Sequence, residues 1–342
     1  MCFVIPHSRW ERHQLVLMYK LKKKKTSRKR IIRTPRRLAV KLTADGAVEI
    51  DYEPANPPHV FFDTNVLRGL GKKGMEALRI LQAERGFRFR YSMLNFVELV
   101  AHLADPPSER YSDPFRRFQA TFKKIVELFD LEVLPSTEMV LMDATGLRGY
   151  LDPKWAVDPK DIARQVYIIA SASSLEEVQR YGIDPRHYKH LKEVDCNSFK
   201  AMMRGAIETV AKPLSINEAS AKWLGHIYSY LIYRASSKRV RLSTLPLSQQ
   251  RKVILSFREH GGKMFEGHLL KILKKTINDD RAPTGNDFYD MLQLLLLRDP
   301  NRLFVTDDRP FFSYYMGAEY HRVVPWKGFQ TSVSEKDADS VS

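Results

Sequence analysis

The sequence predicts an α/β fold in which helices flank a central parallel sheet. Short apolar runs alternate with helical patterns of apolar residues within residues 56–135, and the same alternation resumes within residues 281–330. Strands that alternate with helices along a chain are typical of parallel sheets, because a parallel crossover usually contains a helix. The segment between these two parts has a mostly helical pattern. We therefore expect a parallel-sheet core that is interrupted by a large, mostly helical insertion.

The first α/β part opens with a buried strand. His59-Val60-Phe61-Phe62 is a short apolar run that ends abruptly in the polar triplet Asp63-Thr64-Asn65. A helix is expected over residues 74–84, and Phe87–Tyr91 then alternates aromatic and basic residues like a second strand. Ser92 is a natural N-cap for the apolar helix that follows, because its hydroxyl can accept a hydrogen bond from the first turn.

Two further segments precede this part. Residues 38–53 predict a small hairpin, with Asp45-Gly46 as the turn between two alternating apolar runs. Residues 1–37 lack sustained hydrophobic periodicity, and we expect residues 1–55 to form a basic, partly disordered arm that contains the hairpin. Three prolines between positions 54 and 58 mark the start of the compact domain.

The middle of the chain, residues 136–280, is predicted to be a helical insertion. The segments with a helical pattern are Ile162–Ser171, Leu175–Tyr181, Phe199–Ala211, Ala219–Ser236, Leu247–His260 and Phe265–Lys274. Such an insertion can serve as a lid, as an oligomerisation element or as a cap that selects the substrate. Its clusters of Lys and Arg are compatible with RNA contact and equally with a solvated surface.

The second α/β part, residues 281–330, returns to the pattern of the first. A helix is expected over Phe288–Leu297, and Arg302–Val305 is predicted as a strand that ends in Thr306-Asp307-Asp308. The remaining expected segments are two short strands and a disordered polar tail, namely Glu132–Leu134, Arg322–Val324 and residues 331–342.

The strongest compositional signal is positive charge. The chain has 342 residues and a net charge of +16, which favours a polyanionic partner such as nucleic acid. Residues 20–37 alone carry eleven Lys and Arg and no acid, so the body of the chain is only mildly basic. Such a block is typical either of a solvated disordered arm or of an arm that binds nucleic acid.

Other classes of protein are disfavoured by the composition. No apolar run reaches the length of about 18 residues that a membrane-spanning helix needs, so no membrane partner is expected. The first residues become polar too soon for a secretory signal. The two cysteines, Cys2 and Cys196, are too few for a disulfide framework or a zinc cage, and the histidines lack zinc-binding spacing. We expect a cytoplasmic protein.

Two aspartates follow predicted strands at the points where those strands end. Asp63 comes directly after His59–Phe62, and Asp308 follows Arg302–Val305. In open α/β sheets, ligands bind outside the carboxyl ends of the strands, so both carboxylates would face one crevice if these strands are neighbours. An aspartate at a strand end can also be merely the N-cap of the next helix. Two such ends in one chain favour a site.

Three further acids lie on apolar helices. Glu98 lies in a strongly apolar helical turn. Because a buried carboxylate without a partner is energetically costly, we expect Glu98 to bind a metal ion or to form a salt bridge with Arg88 or Arg90. Asp287 and Asp290 are spaced i, i+3 at the start of a predicted helix and therefore share one face. Asp287 can alternatively be explained as a first-turn acid that the helix dipole favours.

This set of carboxylates predicts a site for a hard divalent cation. Ligands that are all oxygen atoms suit Mg²⁺ and Mn²⁺. In phosphodiester hydrolysis such ions activate water and stabilise the leaving oxygen, and they also relieve the repulsion between the acids and a phosphate backbone. The expected catalytic and metal-binding residues are Asp63, Glu98, Asp287, Asp290 and Asp308.

The motifs resemble those of the PIN domain, a small nuclease fold with a central parallel sheet. The matching residues are Asp63-Thr64-Asn65 after the first strand, Glu98, Asn286-Asp287 with Asp290 close behind, and Thr306-Asp307-Asp308 after a late strand. The resemblance covers residues 56–135 and 281–330. The separation between Glu98 and Asp287 is far longer than this family normally has, which is why the middle is interpreted as an insertion.

The resemblance implies a Mg²⁺- or Mn²⁺-dependent ribonuclease, with single-stranded DNA as a second candidate substrate. The implied metal ligands are Asp63, Glu98, Asp308 and either Asp287 or Asp290. Residues implied to orient these acids or the attacking water are Thr64, Asn65 and Thr306, while Asp307 would assist them or face solvent. The sequence does not decide between a toxin with an antitoxin partner and an RNA-processing enzyme, or between a monomer and a homodimer.

Two other functional classes stay open. One is an RNA-binding scaffold that keeps the fold with a silent site, although the complete acidic set argues against it. The other is a phosphatase similar to the haloacid dehalogenases, whose first strand also ends in an aspartate. Those enzymes need a second acid two residues after the nucleophile, and this chain has Asn65 there.

Overall fold

The computed structural model describes most of the chain outside its two ends. The described ranges are residues 38–42, 48–109, 112–129, 132–210, 216–257, 262–278, 284–312 and 322–332. Residues 1–37 of the basic arm expected at residues 1–55, the turn at Asp45-Gly46, and residues 333–342 of the tail expected at residues 331–342 therefore lie outside the described residues. Within these ranges, every helix is too short or too polar to cross a lipid bilayer.

Four parallel strands form the central sheet. These strands are β3 (His59–Phe62), β4 (Arg88–Arg90), β5 (Arg302–Thr306) and β6 (Val323–Pro325), and a separate pair is formed by β1 (Ala39–Leu42) and β2 (Val48–Asp51). The sheet order is β4–β3–β5–β6, and each neighbouring pair is parallel. The predicted parallel sheet is thus confirmed. Where a further strand was expected at Glu132–Leu134, a single parallel bridge joins Val133 to Tyr91.

The expected hairpin is also present. β1 and β2 pair antiparallel, with Ala39 opposite Asp51 and Leu42 opposite Val48. Buried and exposed side chains alternate along β2, beginning with Val48, which faces the core. This period of two is expected of a strand with one buried face.

Helices flank the sheet. They are α1 (Thr64–Gly69), α2 (Lys72–Arg85), α3 (Met93–Ala101), α4 (Pro114–Leu128), α5 (Thr137–Thr145), α6 (Pro159–Ser171), α7 (Leu175–Arg180), α8 (Pro185–Val210), α9 (Ile216–Ala235), α10 (Leu247–Ser256), α11 (Gly262–Asn278), α12 (Gly285–Leu295), α13 (Arg309–Phe312) and α14 (Trp326–Thr331). Each predicted helix is present with shifted ends. The largest shift is in α8, which begins at Pro185 rather than at Phe199.

The sheet separates two hydrophobic clusters. Val60 and Phe62 of β3 pack into a cluster with the hairpin, α1–α4, α6 and α7, whereas Phe61 packs on the opposite face with α5 and α8–α12. This alternation follows from the pleat of a strand that is buried on both sides. Helices from the middle of the chain contribute to both clusters. The expected boundaries at residues 136 and 280 stay a prediction.

The strand order reverses between β3 and β5. β3 pairs with β4, the next strand in sequence, on one side and with β5 on the other. Phe62 lies opposite Val305, and the backbone N–H of Asp63 donates to the Val305 carbonyl over 2.8 Å. In open α/β sheets the crevice at such a switch point is where ligands bind. Asp63 and the loop after β5 therefore meet at the position where the topology favours a site.

Phe304→Ala is predicted to destabilise the fold strongly. Phe304 is fully buried in β5, with its ring 4.9 Å from that of Phe61 and 5.3 Å from that of Phe311. Truncation removes these contacts and leaves a cavity, which costs about 3–5 kcal/mol of unfolding free energy. Urea unfolding measures the effect. The matched control is Tyr167→Ala, at a side chain that is 58% exposed. Similar losses for the two variants would contradict this description of the core.

Candidate functional site

Asp63 is buried at the carboxyl end of β3. Its side chain is held from the neighbouring strand, because Thr306 Oγ1 donates a hydrogen bond to Asp63 Oδ2 over 3.2 Å. Asp63 stands at the N-cap position of α1, but its side chain makes no capping hydrogen bond. Helix capping, the alternative explanation for an aspartate at this position, therefore does not account for the carboxylate.

The loop after β5 places Asp308 beside Asp63. Thr306 connects the two, since its hydroxyl donates to Asp63 and accepts from the Asp308 backbone N–H over 3.0 Å. Asp308 is half-buried. The adjacent Asp307 is exposed, and its Oδ1 accepts from the Trp326 backbone N–H over 3.2 Å. Asp307 thus holds the start of α14 and is directed away from the other acids.

Glu98 is positioned by a chain of hydrogen bonds that begins at Asn95. Asn95 and Ser92 form a capping box at the start of α3. The Asn95 amide Nδ2 also donates to the Phe62 carbonyl over 3.1 Å and to Thr64 Oγ1 over 3.0 Å. Thr64 Oγ1 in turn donates to Glu98 Oε2 over 2.6 Å. Each member is oriented by the one before it, which fixes Glu98 at the end of β3.

The salt-bridge partner of Glu98 comes from an unexpected helix. Lys192 Nζ of α8 lies 3.0 Å from Glu98 Oε1. The sequence suggested Arg88 or Arg90 for this role, and that suggestion is wrong. Arg90 forms its ion pair with Glu132. The two arginines lie on β4, whereas α8 packs directly along α3 and so brings Lys192 to the same edge as Glu98.

Asp287 and Asp290 have different roles at the start of α12. Thr284 is the N-cap, and Asp287 closes a capping box in which its Oδ2 accepts from the Thr284 backbone N–H over 2.5 Å and also from Thr284 Oγ1 over 2.7 Å. Asp290 lies one turn further along the helix and is half-buried. The carboxylate of Asp287 is therefore engaged in local structure, while that of Asp290 lies with the acids of the sheet edge.

Burial and neighbouring negative charges raise the pKa values of Asp63 and Asp290. Burial raises the pKa of Asp63 to about 6, and the charges of Glu98 and Asp308 add to the rise, while the hydrogen bond from Thr306 opposes it. The pKa of Asp290 is raised well above its ordinary value, again first by burial and then by the charges of Asp63, Asp308 and Glu98. Carboxylates from four separate elements thus form one electrostatically coupled group.

Two lysines of α11 lie on the Asp308 side of this group. Burial and the charge of Asp287 raise the pKa of the Asp308 carboxyl, while the charges of Lys271 and Lys275 partly oppose that rise. The pKa of Lys271 is lowered, mainly by burial and then by Lys275. Helices from the middle of the chain therefore supply positive charge on two sides of the acids, through α8 and α11.

The donor chemistry fits a hard divalent cation, since all the ligands on offer are carboxylate oxygens. Across the described residues, however, no group of three or more His, Cys, Asp or Glu is arranged to hold a metal ion. Two of the acids have other partners, because Glu98 binds Lys192 and Asp287 binds Thr284. A cation would relieve the repulsion among the remaining acids, which is the reason to test for one.

The predicted site residues separate into two groups. Those that meet at the sheet edge are Asp63, Thr64, Glu98, Asp290, Thr306 and Asp308. Those placed elsewhere are Asn65, which is exposed on α1, and Asp307, which holds the start of α14. Asp287 holds the start of α12, and its charge also raises the pKa of Asp308 and Asp290. Sequence reasoning missed Asn95 and Lys192. The spacing Ser92-x-x-Asn95 was a usable signal for the capping box, whereas Lys192 had no local signal.

Comparison with known proteins gave no match, because no family model, curated protein or solved structure proved significantly similar to this chain. The resemblance to the PIN domain therefore rests on the motifs of this chain alone and stays a prediction.

Asp63→Asn is predicted to stabilise the protein at neutral pH in EDTA. The folded state raises the pKa of Asp63 from 3.8 to about 6, so it holds the proton more tightly than the unfolded chain does. Stability is therefore lost as the pH rises from about 4 through 6. Removing the charge should increase the free energy of unfolding by about 1–3 kcal/mol at pH 7.

Urea unfolding at several pH values measures this effect. The variant should also show a flatter pH dependence of stability between about pH 4 and 6. Asp51→Asn, at an exposed position of β2, controls for loss of a negative charge in general. A variant of Asp63 that is less stable than the wild type at pH 7 would contradict the repulsive environment.

Proposed function

We propose that the protein is a PIN-like ribonuclease that hydrolyses RNA phosphodiester bonds with Mg²⁺ or Mn²⁺ at Asp63, Glu98, Asp290 and Asp308. One observation carries the proposal: at the switch point of a parallel sheet, the charges of Glu98 and Asp308 raise the pKa of Asp63, and the charges of Asp63, Asp308 and Glu98 raise the pKa of Asp290. Buried carboxylates with a purely structural role are normally paired with cations. Carboxylates that lie close together although they repel one another suit the binding of a divalent cation, because the cation neutralises their charge.

The chain's own residues would orient and support the reacting groups. Bound divalent cations would supply a water of lowered pKa and stabilise the leaving oxygen. Thr306 holds one oxygen of Asp63, while Thr64 and Lys192 hold the two oxygens of Glu98. Such supporting hydrogen bonds set the direction of ligand oxygens and tune metal binding. Asn95 extends this support to the backbone of β3.

Positive charge around the acids favours a nucleic-acid substrate. Lys192 on one side and the pair Lys271 and Lys275 on the other lie where they can neutralise phosphates that approach the site. The net charge of +16 adds a general attraction to polyanions. RNA is the proposed substrate and single-stranded DNA the second candidate. A cytoplasmic location, a homodimer and an antitoxin partner stay predictions from the sequence.

A silent RNA-binding scaffold is the competing function. Two observations favour it: Glu98 is engaged by Lys192, and a metal-holding group is absent from the described residues. The scaffold and the nuclease differ in one measurable property, because only the nuclease turns over RNA in a metal-dependent way.

Cleavage of a labelled single-stranded RNA is predicted to require both the metal and the acids. Activity with Mn²⁺ should disappear in EDTA and fall on the order of 100-fold or more in Asp63→Asn and Asp308→Asn, since each removes a ligand charge. Asp51→Asn, an identical chemical change far from the sheet edge, should keep full activity.

Each alternative outcome has a clear meaning. Equal cleavage with metal, with EDTA and by Asp63→Asn would overturn the proposal. RNA binding without cleavage in any preparation would identify the scaffold, and turnover of small phosphomonoesters alone would identify a phosphatase.

Asp290→Asn and Asp287→Asn are predicted to separate catalysis from stability. Asp290→Asn should lose cleavage as severely as Asp63→Asn, because Asp290 belongs to the coupled acids. Asp287→Asn should keep cleavage within a few-fold and lose about 1 kcal/mol of unfolding free energy, because Asp287 closes the capping box with Thr284. RNA cleavage and urea unfolding of both variants measure this. The reverse ranking in cleavage would make Asp287 the ligand.

A further inference from the structure

Two helices lead from the sheet edge to a pair of basic side chains. Thr64 on α1 and Glu98 on α3 are joined by a hydrogen bond of 2.6 Å. Arg68 follows Thr64 on α1 by four residues, and His102, the C-cap of α3, follows Glu98 by four. Residues four apart lie on one face of a helix, with about 5–6 Å between their Cβ atoms. Arg68 and His102 therefore lie one helical turn beyond the pair of Thr64 and Glu98.

Phe118 of α4 brings these two basic side chains together. The guanidinium carbon of Arg68 lies 4.9 Å from the centre of the Phe118 ring. The His102 ring stacks on the same ring, with 5.0 Å between the ring centroids and an interplanar angle of 14°. Phe118 is itself buried, so it supports the two basic groups and leaves them at the surface of the molecule.

Helix α4 adds two more cations next to Arg68. Lys124 Nζ donates a hydrogen bond to the Arg68 backbone carbonyl over 3.2 Å. Burial lowers the pKa of Lys124, and the charge of Arg117 lowers it further. Lys124 is half-buried, whereas Arg117 is exposed. Cations that lie this close repel one another, and a bound anion relieves that repulsion.

Helix α8 adds a fifth basic group on the side of His102. Lys189 Nζ lies 2.8 Å from Asp105 Oδ1, and His102 Nδ1 lies 2.5 Å from the other oxygen of the same carboxylate. Lys189 also precedes Lys192, the partner of Glu98, by three residues on α8. The basic surface, as we call this set, consists of Arg68, His102, Arg117, Lys124 and Lys189.

We propose that the basic surface binds the phosphate backbone of single-stranded RNA, a proposal that rests on the RNA substrate of the proposed function. The surface begins one helical turn from Thr64 and Glu98, so a strand that lies on it reaches the sheet edge. Guanidinium and ammonium groups recognise phosphates by charge, and they therefore hold the strand without selecting its bases. This contact involves side chains of the protein alone and needs no metal ion.

A double variant, Arg117→Gln with Lys124→Gln, removes two charges of the basic surface and leaves the acids of the sheet edge unchanged. The matched control, Arg251→Gln with Lys252→Gln, removes the same two types of charge from exposed positions on α10. Helix α10 packs on the face of the sheet opposite to α4. Every variant is the full chain, so the basic residues between positions 20 and 37 contribute equally to all of them.

Fluorescence anisotropy of a labelled oligouridylate in EDTA, at several salt concentrations, measures the affinity without any metal. The Arg117→Gln, Lys124→Gln variant should bind on the order of 10-fold more weakly than the wild type. The slope of log K against log salt should fall by about 1.4, because each phosphate contact with a single strand contributes about 0.7. The control variant should stay within about twofold of the wild type.

A second variant keeps the test decisive if the first does not fold, which thermal unfolding establishes. Arg117→Gln alone changes an exposed side chain, and it should lower the slope by about 0.7.

Two results would overturn the basic surface. One is an equal loss of affinity in the double variant and in the control, because general attraction between the chain and a polyanion would then explain binding. The other is a wild type that does not bind the oligouridylate. Failure of the proposed nuclease is a separate result, since RNA that binds through the basic surface but is not cut with Mn²⁺ contradicts the nuclease and supports the surface.

Discussion

The pairing of β3 with β5 is the constraint on which the site depends. Asp63 and Thr306 are 243 residues apart in sequence, yet their strands are hydrogen-bonded neighbours in the centre of the sheet. Because the two strands run parallel, the backbone leaves both of them at the same edge of the sheet. The hydrogen bonds from Thr306 and the approach of Asp308 follow from this register. A slip of one residue would turn Phe61 and Phe62 to the wrong faces and separate the carboxylates.

Repulsion between the carboxylates destabilises the folded state, and the rest of the fold has to offset this free-energy cost. Burial and the charges of other acids disfavour the charged forms of Asp63 and Asp290. The hydrogen bond from Thr306 reduces this cost at Asp63, and Thr64 and Lys192 engage the carboxylate of Glu98. The two hydrophobic clusters on either side of the sheet supply the remaining stability. Local strain of this kind is typical of functional sites.

Local sequence patterns were sufficient for part of this description. The strands before Asp63 and Asp308 were predictable because apolar runs and the polar triplets after them are adjacent in sequence. Helix α4 carried equally clear signals that the sequence interpretation overlooked, namely the cap Asp113, Pro114 in the first turn and a regular spacing of apolar residues. The contact of Lys192 with Glu98 spans 94 residues and is set by the packing of α8, so no local pattern encodes it. Asp287 and Asp290 share one face of a helix, and only the capping box distinguishes them.

The central position of β5 also governs the order in which the molecule can form. During synthesis β3 and β4 leave the ribosome long before β5 does, so the edge of β3 that will receive β5 stays unpaired while the middle of the chain is made. Contacts this distant in sequence are slow to form, and an open strand edge is prone to non-native pairing. The acid at the end of β3 therefore meets the one after β5 only once β5 has been synthesised. A nascent chain that lacks β5 consequently carries only part of the site.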